Sequence, residues 1–337
     1  METKMWKTDE QSIKEAAQSI LNGEVVAFPT ETVYGLGADA TNEHAIAKIF
    51  QAKGRPADNP LIVHVDAPSQ IGRYVQEIPE AAQKLIDHFM PGPFTIILKN
   101  NKEITPLVTA GLDSVGIRIP NHPIARAFIQ ATGKPIAAPS ANLSGKPSPT
   151  KANHVLEDLK GKISGVIEGG ATGVGLESTV VDATGEIPII LRPGNVTLED
   201  IKKIVPSARM NNAIQKQDNQ PKSPGMKYNH YEPDAPLYVV HGDSDFFQKQ
   251  IDLYRKKHYK VGVLASDSLM DELDADQLFP CGENDKEIAA KLYDGLRYFN
   301  HTNVDLILAE AFSTDGVGQA IMNRLSKAAS DHLYQTK

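Results

Sequence analysis

Short apolar runs alternate with amphipathic segments along the N-terminal part of the chain. Apolar runs bounded by turn-forming residues predict strands, and apolar residues spaced three and four apart predict helices. The predicted strands are Val25–Phe28, Leu61–Val65, Phe94–Leu98, Val115–Ile119, Gly165–Ile167, Thr179–Asp182 and Ile187–Leu191. The predicted helices are Glu10–Leu21, Glu43–Gln51, Glu80–His88, Pro123–Thr132 and Lys151–Leu159. Because strand follows strand near residues 165–191, the pattern favours an α/β fold with a twisted mixed sheet.

The apolar periodicity is lost between Pro206 and Pro236, where five prolines are separated mainly by polar residues. This composition is typical of a linker and predicts domains at residues 1–205 and 237–337, joined by residues 206–236. The linker also holds two tyrosines and a histidine, so a passive spacer and an active-site lid both remain open. Beyond it, three further strands alternate with helices, which predicts a smaller Rossmann-like α/β domain.

Composition narrows the class of protein. The 337 residues are 41% hydrophobic and 23% charged, which is ordinary for a folded protein. We expect a cytoplasmic protein, because no apolar run has the length of a signal peptide or a membrane span. The net charge of -7 argues against a broad nucleic-acid surface. A single cysteine, Cys281, excludes an internal disulfide and any multi-cysteine metal site.

The segment Phe-Pro-Thr-Glu-Thr-Val-Tyr-Gly-Leu-Gly, residues 28–37, is the first candidate for a ligand site. It follows an apolar strand and supplies two hydroxyls, a carboxylate, a phenol and two glycines. Ligand sites in α/β proteins are built from such loops at strand ends. A simple connecting turn would not require so many hydrogen-bonding groups.

A second candidate is Lys-Gly-Arg-Pro-Ala-Asp-Asn-Pro, residues 53–60, at the end of a predicted helix. Lys53 and Arg55 lie two residues apart on non-helical backbone and can converge on one polyanion such as a polyphosphate. Both cations are also favourable at the C-terminal end of a helix dipole, which is a purely structural alternative.

Two basic residues interrupt apolar strands. His64 alone is more often a buried core residue than a ligand. Arg118, flanked by isoleucines, needs an anionic or multi-acceptor partner if it is buried. A ligand carboxylate would satisfy it, and so would an Asp or Glu of the protein.

Two further loops and an arginine complete the set. The loop after Ala138 carries several hydroxyl and amide groups, and residues 168–175 are rich in glycine, so their backbone N–H groups can approach an anion closely. Arg192 stands at a strand end. No Walker loop, metal-ligand spacing or serine-hydrolase elbow occurs. Cations, hydroxyls and glycines without a protein nucleophile favour phosphoryl or nucleotidyl transfer.

In this order, the motifs PTETVYGLG, KGRPADNPL, PGPFTIIL, VGIRIP, PSANLSG, ESTVVD and LRPG resemble the threonylcarbamoyl-AMP synthase family. The linker SPGMKYNHYEP and the tail GVGQAIMNRLSKAA resemble its two-domain form, in which a YrdC-like catalytic domain precedes a C-terminal domain. The resemblance covers nearly the whole chain. It implies a mixed sheet with a concave ligand cavity.

The resemblance also implies roles for individual residues. Lys53 and Arg55 would be catalytic, by neutralising charge that develops on phosphate. The residues around L-threonine would be Thr32, His64, Arg118, Ala138 and Ser178, with Arg118 taking the carboxylate. The residues around ATP would be Arg55, Asn59, Ser114, Ser140, Ser148, Arg192, His230 and Tyr231.

By the same resemblance, the enzyme would convert L-threonine, bicarbonate and ATP into threonylcarbamoyl-AMP and pyrophosphate. Mg²⁺ would be bound through the ATP phosphates, with no protein metal site. The product would pass to a tRNA-modifying threonylcarbamoyl transferase complex, and we expect neither tight direct tRNA binding nor a membrane partner. Two alternatives are an RNA-binding module and a carbamoyl transferase of the hydrogenase-maturation type. Micromolar, salt-dependent tRNA affinity would favour the first, whereas the second expects cysteine-rich zinc motifs.

Overall fold

The structure is a computed structural model that describes residues 2–211, 230–330 and 332–335. The chain divides into two compact units. The first consists of Met1–Ser144 with Pro149–Tyr228, and the second of Gly145–Ser148 with Asn229–Lys337. Most of the linker predicted at residues 206–236 lies outside the described residues. No helix among the described residues combines the length and the apolar character needed to cross a membrane.

The first unit is built on a mixed sheet, as the sequence predicts, and the described residues of this sheet form eleven strands. Its order is β1-β8-β2-β3-β7-β4-β6-β5-β9-β10-β11, so strands distant in sequence become neighbours. The strands are β1 Lys4–Trp6, β2 Val26–Phe28, β3 Gly35–Asp39, β4 Ile62–His64, β5 Phe94–Lys99, β6 Ser114–Arg118, β7 Ile136–Ala137, β8 Gly165–Ile167, β9 Thr179–Asp182, β10 Ile189–Arg192 and β11 Arg209–Met210.

Local signals explain where the helices of this unit begin and end. Asp9 accepts a hydrogen bond from the Ser12 amide and caps the first helix. The second helix ends at Gly54, whose φ of 60° is the left-handed conformation that glycine adopts without strain. The helices are α1 Glu10–Leu21, α2 Glu43–Lys53, α3 Glu80–Phe89, α4 Pro106–Thr109, α5 Pro123–Thr132, α6 Ala152–Leu159 and α7 Leu198–Ile204.

The sheet separates two apolar clusters. Val25 and Ala27 belong to the main core, whereas Val26 and Phe28 pack with α1 and α5. Since successive side chains of a strand point to opposite faces, the two clusters lie on opposite faces of β2. In β4, β5 and β6 every second side chain packs into the main core. The side chains between them point to the opposite face of the sheet.

The second unit holds a five-stranded, all-parallel sheet with the order β14-β13-β15-β12-β16. Helices alternate with these strands, in agreement with the Rossmann-like class predicted. The strands are β12 Leu237–His241, β13 Val261–Ala265, β14 Gln277–Pro280, β15 Leu306–Glu310 and β16 Leu333–Gln335, and the helices are α8 Ser244–Arg255, α9 Asp267–Met270, α10 Asp285–Tyr298 and α11 Val317–Ala328.

The structure adds strands of the first unit to those listed from the sequence, among them β1, β3 and β11. β3 begins at Gly35, within the segment at residues 28–37 that we interpret as a loop, and it pairs with β2 and β7. β11 pairs with β10, and the Asn211 amide donates to the Ile190 carbonyl. The first sheet therefore continues beyond residue 205, where the sequence placed the end of the domain.

Candidate active site

A row of polar side chains crosses adjacent strands of the first sheet. His64 of β4 lies opposite Arg118 of β6, and Arg118 lies opposite Thr95 of β5. Thr95 lies opposite Val180 of β9, which in turn lies opposite Arg192 of β10. Directly opposed residues share one face of a sheet, and here it is the face turned away from the main core. The register thus aligns two arginines, a histidine and a threonine in one row, in which Val180 lies between Thr95 and Arg192, and Arg192 follows a β-bulge or irregularity in β10.

Arg118 is the most constrained member of this row. Its side chain is 5% exposed. Nη1 donates to Thr32 Oγ1 at 2.9 Å, and Nε donates to the Gly92 carbonyl at 3.3 Å. Nη2 lies 2.7 Å from Glu31 Oε1. The acidic partner that the sequence left open is therefore, in this structure, a glutamate of the protein.

His64 is buried against the ring of Phe28 and beside Arg118. The two rings meet edge to face, and His64 Nδ1 lies 3.2 Å from the Ile62 carbonyl. Burial, together with the positive charge of Arg118, lowers the pKa of His64 to about 3. The imidazole is therefore neutral at physiological pH and offers one donor and one acceptor.

This shift predicts how stability depends on pH. The pKa of His64 is about 3 in the folded protein and 6.5 in its ordinary state, so the unfolded chain binds more protons between these values. We expect the free energy of unfolding to be greatest above about pH 6.5 and to fall as the pH is lowered toward 3. In urea unfolding across this range, the His64→Gln variant should show a shallower dependence than the wild type. Equal slopes, or a His64 resonance titrating near its ordinary pKa, would contradict the assignment.

Ser178 connects Thr95 to Arg192 at the other end of the row. Its hydroxyl lies 2.8 Å from Thr95 Oγ1 and accepts a hydrogen bond from Arg192 Nη2 at 3.2 Å. Arg192 also donates to the Ser178 carbonyl through Nε at 3.1 Å and Nη2 at 2.9 Å. A residue predicted to contact threonine and one predicted to contact ATP are thus hydrogen-bonded to each other.

The end of α2 places Lys53 in the protein interior. Lys53 is 3% exposed, and its ammonium donates to the carbonyls of Ser140 at 2.5 Å and Asn142 at 2.6 Å. A solvated cation that serves only the helix dipole would not be buried in this way. Arg55 Nη2 donates to the Asn59 carbonyl at 3.2 Å. The Asn59 side chain is fully buried, and its amide has no hydrogen-bond partner in the described part of the chain.

The glycine-rich segment at residues 168–175 packs against the first loop. The Gly169 amide donates to the Tyr34 hydroxyl at 3.1 Å, and this hydroxyl donates to the Gly170 carbonyl at 2.7 Å. The Val174 and Gly175 amides donate to the carbonyls of residues 31 and 32. These three N–H groups are used within the protein, so the sequence-based expectation that they meet an anion is wrong for them. Burial raises the pKa of Tyr34 to about 12, so its hydroxyl keeps its proton.

The remaining predicted site residues are Ala138, Ser140 and Ser114 in the first unit and three residues in the second. The Ala138 amide donates to the Ile62 carbonyl at 2.9 Å, and Ser140 forms a bridge with Gly35. Ser114 begins β6, four residues before Arg118, which separates the two by roughly 13 Å along the strand. The other predicted nucleotide contacts belong to the second unit: Ser148, His230 and Tyr231.

In the second unit, Tyr231 has a φ of 70° and stacks on Tyr293 with ring centroids 5.2 Å apart. The His230 ring lies 5.5 Å from that of Tyr231. The roles of these two residues toward a nucleotide stay a prediction, as do the ligand contacts proposed for the other site residues.

Three contributors to the site have no individual role in the sequence-based prediction. The apolar pattern includes Thr95 in a predicted strand, although a lone threonine inside Phe-Thr-Ile-Ile-Leu is a signal of the same kind as His64. Thr30 is buried, and its hydroxyl lies 2.9 Å from Thr32 Oγ1. Glu31 was noted as a carboxylate of the loop, but its pairing with Arg118 requires the three-dimensional structure.

The fold and these contacts define an α/β protein with a buried site of cations and hydroxyls on one face of its larger sheet. Such a site is suited to small anionic molecules. Residues 18–194 match a family model for Sua5, YciO and YrdC proteins described as "Telomere recombination". Residues 196–330 match the model described as "Threonylcarbamoyl-AMP synthase, C-terminal domain".

Individual relatives agree with the family models. A Bacillus subtilis protein named threonylcarbamoyl-AMP synthase is 48% identical over 99% of this chain and 100% of its own. A Pyrococcus abyssi protein of the same name is 47% identical over 96% of this chain and 95% of its own. The crystal structure of P. abyssi Sua5 complexed with L-threonine superposes with a TM-score of 0.95, at 44% identity, over 99% of this chain and 100% of that one. The chain belongs to the threonylcarbamoyl-AMP synthase family of enzymes.

Proposed function

We propose that the protein is an L-threonylcarbamoyladenylate synthase. It joins L-threonine, bicarbonate and ATP into threonylcarbamoyl-AMP and releases pyrophosphate, which makes it a nucleotidyltransferase. The observation that carries the proposal is the row formed by His64, Arg118, Thr95 and Arg192. It is supported by the L-threonine complex of a relative with nearly the same fold.

The amino acid would bind at the Arg118 end of the row. Arg118 would direct two N–H groups toward the carboxylate, which is the geometry that a guanidinium provides and an ammonium does not. Neutral His64, Thr32 and Ser178 supply donors and acceptors for the side-chain hydroxyl and the remaining polar atoms. Ala138 contributes its backbone at the end of β7.

In the first unit, ATP would bind through Arg55, Asn59, Ser114, Ser140 and Arg192. The nucleotide contacts expected for Ser148, His230 and Tyr231 of the second unit stay a prediction. Lys53 and Arg55 would neutralise the charge that develops on the phosphates as pyrophosphate leaves. The described residues contain no group of three His, Cys, Asp or Glu side chains placed to hold a metal ion. Mg²⁺ would enter with ATP, because this ion is usually bound through substrate phosphates and keeps several waters.

The reaction proceeds in two steps. The threonine ammonium first releases a proton, and the neutral amine attacks carbon dioxide, which forms as bicarbonate loses hydroxide. Loss of a second N–H proton, which joins that hydroxide as water, leaves a carbamate. A carbamate oxygen then attacks the α-phosphorus of ATP, and pyrophosphate departs as the P–O bond to it breaks. The mixed anhydride product is labile in water, so its consumer is expected to be a threonylcarbamoyl transferase that modifies tRNA in the same compartment, the cytoplasm.

The amino-acid requirement tests this proposal. With ATP, Mg²⁺ and bicarbonate present, L-threonine should support pyrophosphate release far better than L-valine or L-alanine. A site that hydrogen-bonds a hydroxyl discriminates against analogues that lack it by up to about 10⁴-fold, because its buried polar groups are then unpaired. Release that is independent of the amino acid, or equal with valine, would contradict the proposal.

A further inference from the structure

Glu31 places a carboxylate at the end of the row where the proposed function places an amino acid. Glu31 Oε1 lies 2.7 Å from Arg118 Nη2, and the two side chains are 13% and 5% exposed. Neighbouring backbone fixes the loop that carries the carboxylate, because the Val174 amide donates to the Glu31 carbonyl at 2.8 Å. Glu31 and Arg118 therefore form a largely buried ion pair, and a backbone hydrogen bond holds the loop that carries Glu31.

The two residues of this pair differ in how many hydrogen bonds they form. Arg118 donates to Thr32 and to the Gly92 carbonyl in addition to facing Glu31. Both carboxylate oxygens of Glu31 are buried, and neither accepts a hydrogen bond of good geometry from any residue that the structure describes. An ionised carboxylate has about four acceptor positions, and a buried one without donors is costly. Glu31 can thus accept hydrogen bonds from a donor that the described residues do not provide.

An amino acid zwitterion supplies that donor. Its ammonium has three N–H groups, and its carboxylate is attached to the same carbon. If the carboxylate of the amino acid binds Arg118, its ammonium lies next to Glu31, because Glu31 faces Arg118. Insertion of the zwitterion replaces one internal ion pair with two, and each buried charge then faces an opposite charge.

We propose that Glu31 binds the α-ammonium of the substrate and so holds the nitrogen that becomes carbamoylated. This assignment rests on the proposed function, because it requires an amino acid bound at Arg118. It makes the pair Glu31–Arg118 a receptor for the zwitterion, which selects against carboxylic acids that lack an amine.

Calorimetric binding of two ligands tests the assignment. L-threonine carries the ammonium, and β-hydroxybutyrate is the same molecule without it. The Glu31→Gln variant should bind L-threonine about tenfold to a hundredfold more weakly, the range expected for loss of one charged hydrogen-bonding partner. Its affinity for β-hydroxybutyrate should be unchanged or higher. Glu24→Gln is the matched control, since it removes the same charge from an ion pair with Lys48, at 2.8 Å, outside the row.

Other outcomes would overturn the assignment. If Glu31 merely occupies Arg118 before the substrate arrives, Glu31→Gln will bind both ligands more tightly. If Glu31 only supports the fold, both ligands will weaken together and the melting temperature will fall. A measurement on the wild type does not depend on the folding of the variant: L-threonine should bind at least about tenfold more tightly than β-hydroxybutyrate, and equal affinities would contradict the role of Glu31. Wild-type protein that binds neither ligand would contradict the proposed function itself.

Discussion

Replacing Lys53 with methionine is expected to lower kcat for pyrophosphate release about 100- to 1000-fold, the effect typical of removing one group that stabilises developing charge. Lys53 is 3% exposed, and its ammonium holds the carbonyls of Ser140 and Asn142. Methionine keeps the apolar stem but removes the charge and both hydrogen bonds. We therefore expect a lower melting temperature as well, because each unsatisfied buried carbonyl costs about 1–3 kcal/mol.

Steady-state kinetics with Lys48→Met as the control separates these effects. Lys48 lies on the same helix and pairs with Glu24 at the surface of the first unit. The control should keep kcat within about threefold, since an exposed or half-exposed ion pair contributes little. If Lys53→Met lowers the melting temperature but leaves kcat unchanged, Lys53 only stabilises the loop that carries Ser140 and Asn142. Its catalytic assignment is then wrong.

The second large effect is expected for Arg118→Lys, which should raise the KM for L-threonine about a hundredfold or more. A lysine can still face Glu31, so the ion pair survives, but a single ammonium cannot reproduce two parallel N–H groups aimed at a carboxylate. The KM for ATP should change little, because the Arg118 side chain is at the proposed amino-acid end of the row.

Arg126→Lys is a suitable control for this experiment. Arg126 is on α5, and its Nε donates to the Asp66 carbonyl at 3.3 Å in an exposed position. The control should leave both KM values unchanged. Equal increases in the KM values for threonine and ATP in Arg118→Lys would show that Arg118 is structural or faces phosphate.

Elements with strong local signals could be predicted from the sequence. α1 and α5 have the predicted bounds because their apolar spacing and their caps, Asp9 and Gly133, are local. β3 could not be predicted, since its two glycines have low strand propensity. Its sequence is explained by packing: a Cβ on Gly37 would lie 2.7 Å from Ile136 Cγ2 and 2.9 Å from Phe28 Cε1.

The candidate site could be predicted as a set of residues but not as an arrangement. His64 and Arg118 are conspicuous as basic residues inside apolar strands, and Arg192 stands at a predicted strand end. For His64 this signal also fits a core residue, and its role is implied by the family resemblance. Their order across the sheet depends on pairing between strands that are distant in sequence, such as β4 with β6 and β9 with β10. Pairing of this kind is non-local, so neither the link through Ser178 nor the pairing of Arg118 with Glu31 could be derived from spacing.

We propose that this protein builds a carbamoyl group on threonine and links it to AMP. The most direct test of this proposal is mass spectrometry of the product formed from L-threonine, ATP, Mg²⁺ and bicarbonate labelled with heavy carbon. We expect an adenylate that contains threonine and carries the label in its carbamoyl carbon, together with an equal amount of pyrophosphate. An unlabelled threonyl-adenylate, or ATP hydrolysis without any threonine-containing adenylate, would contradict it.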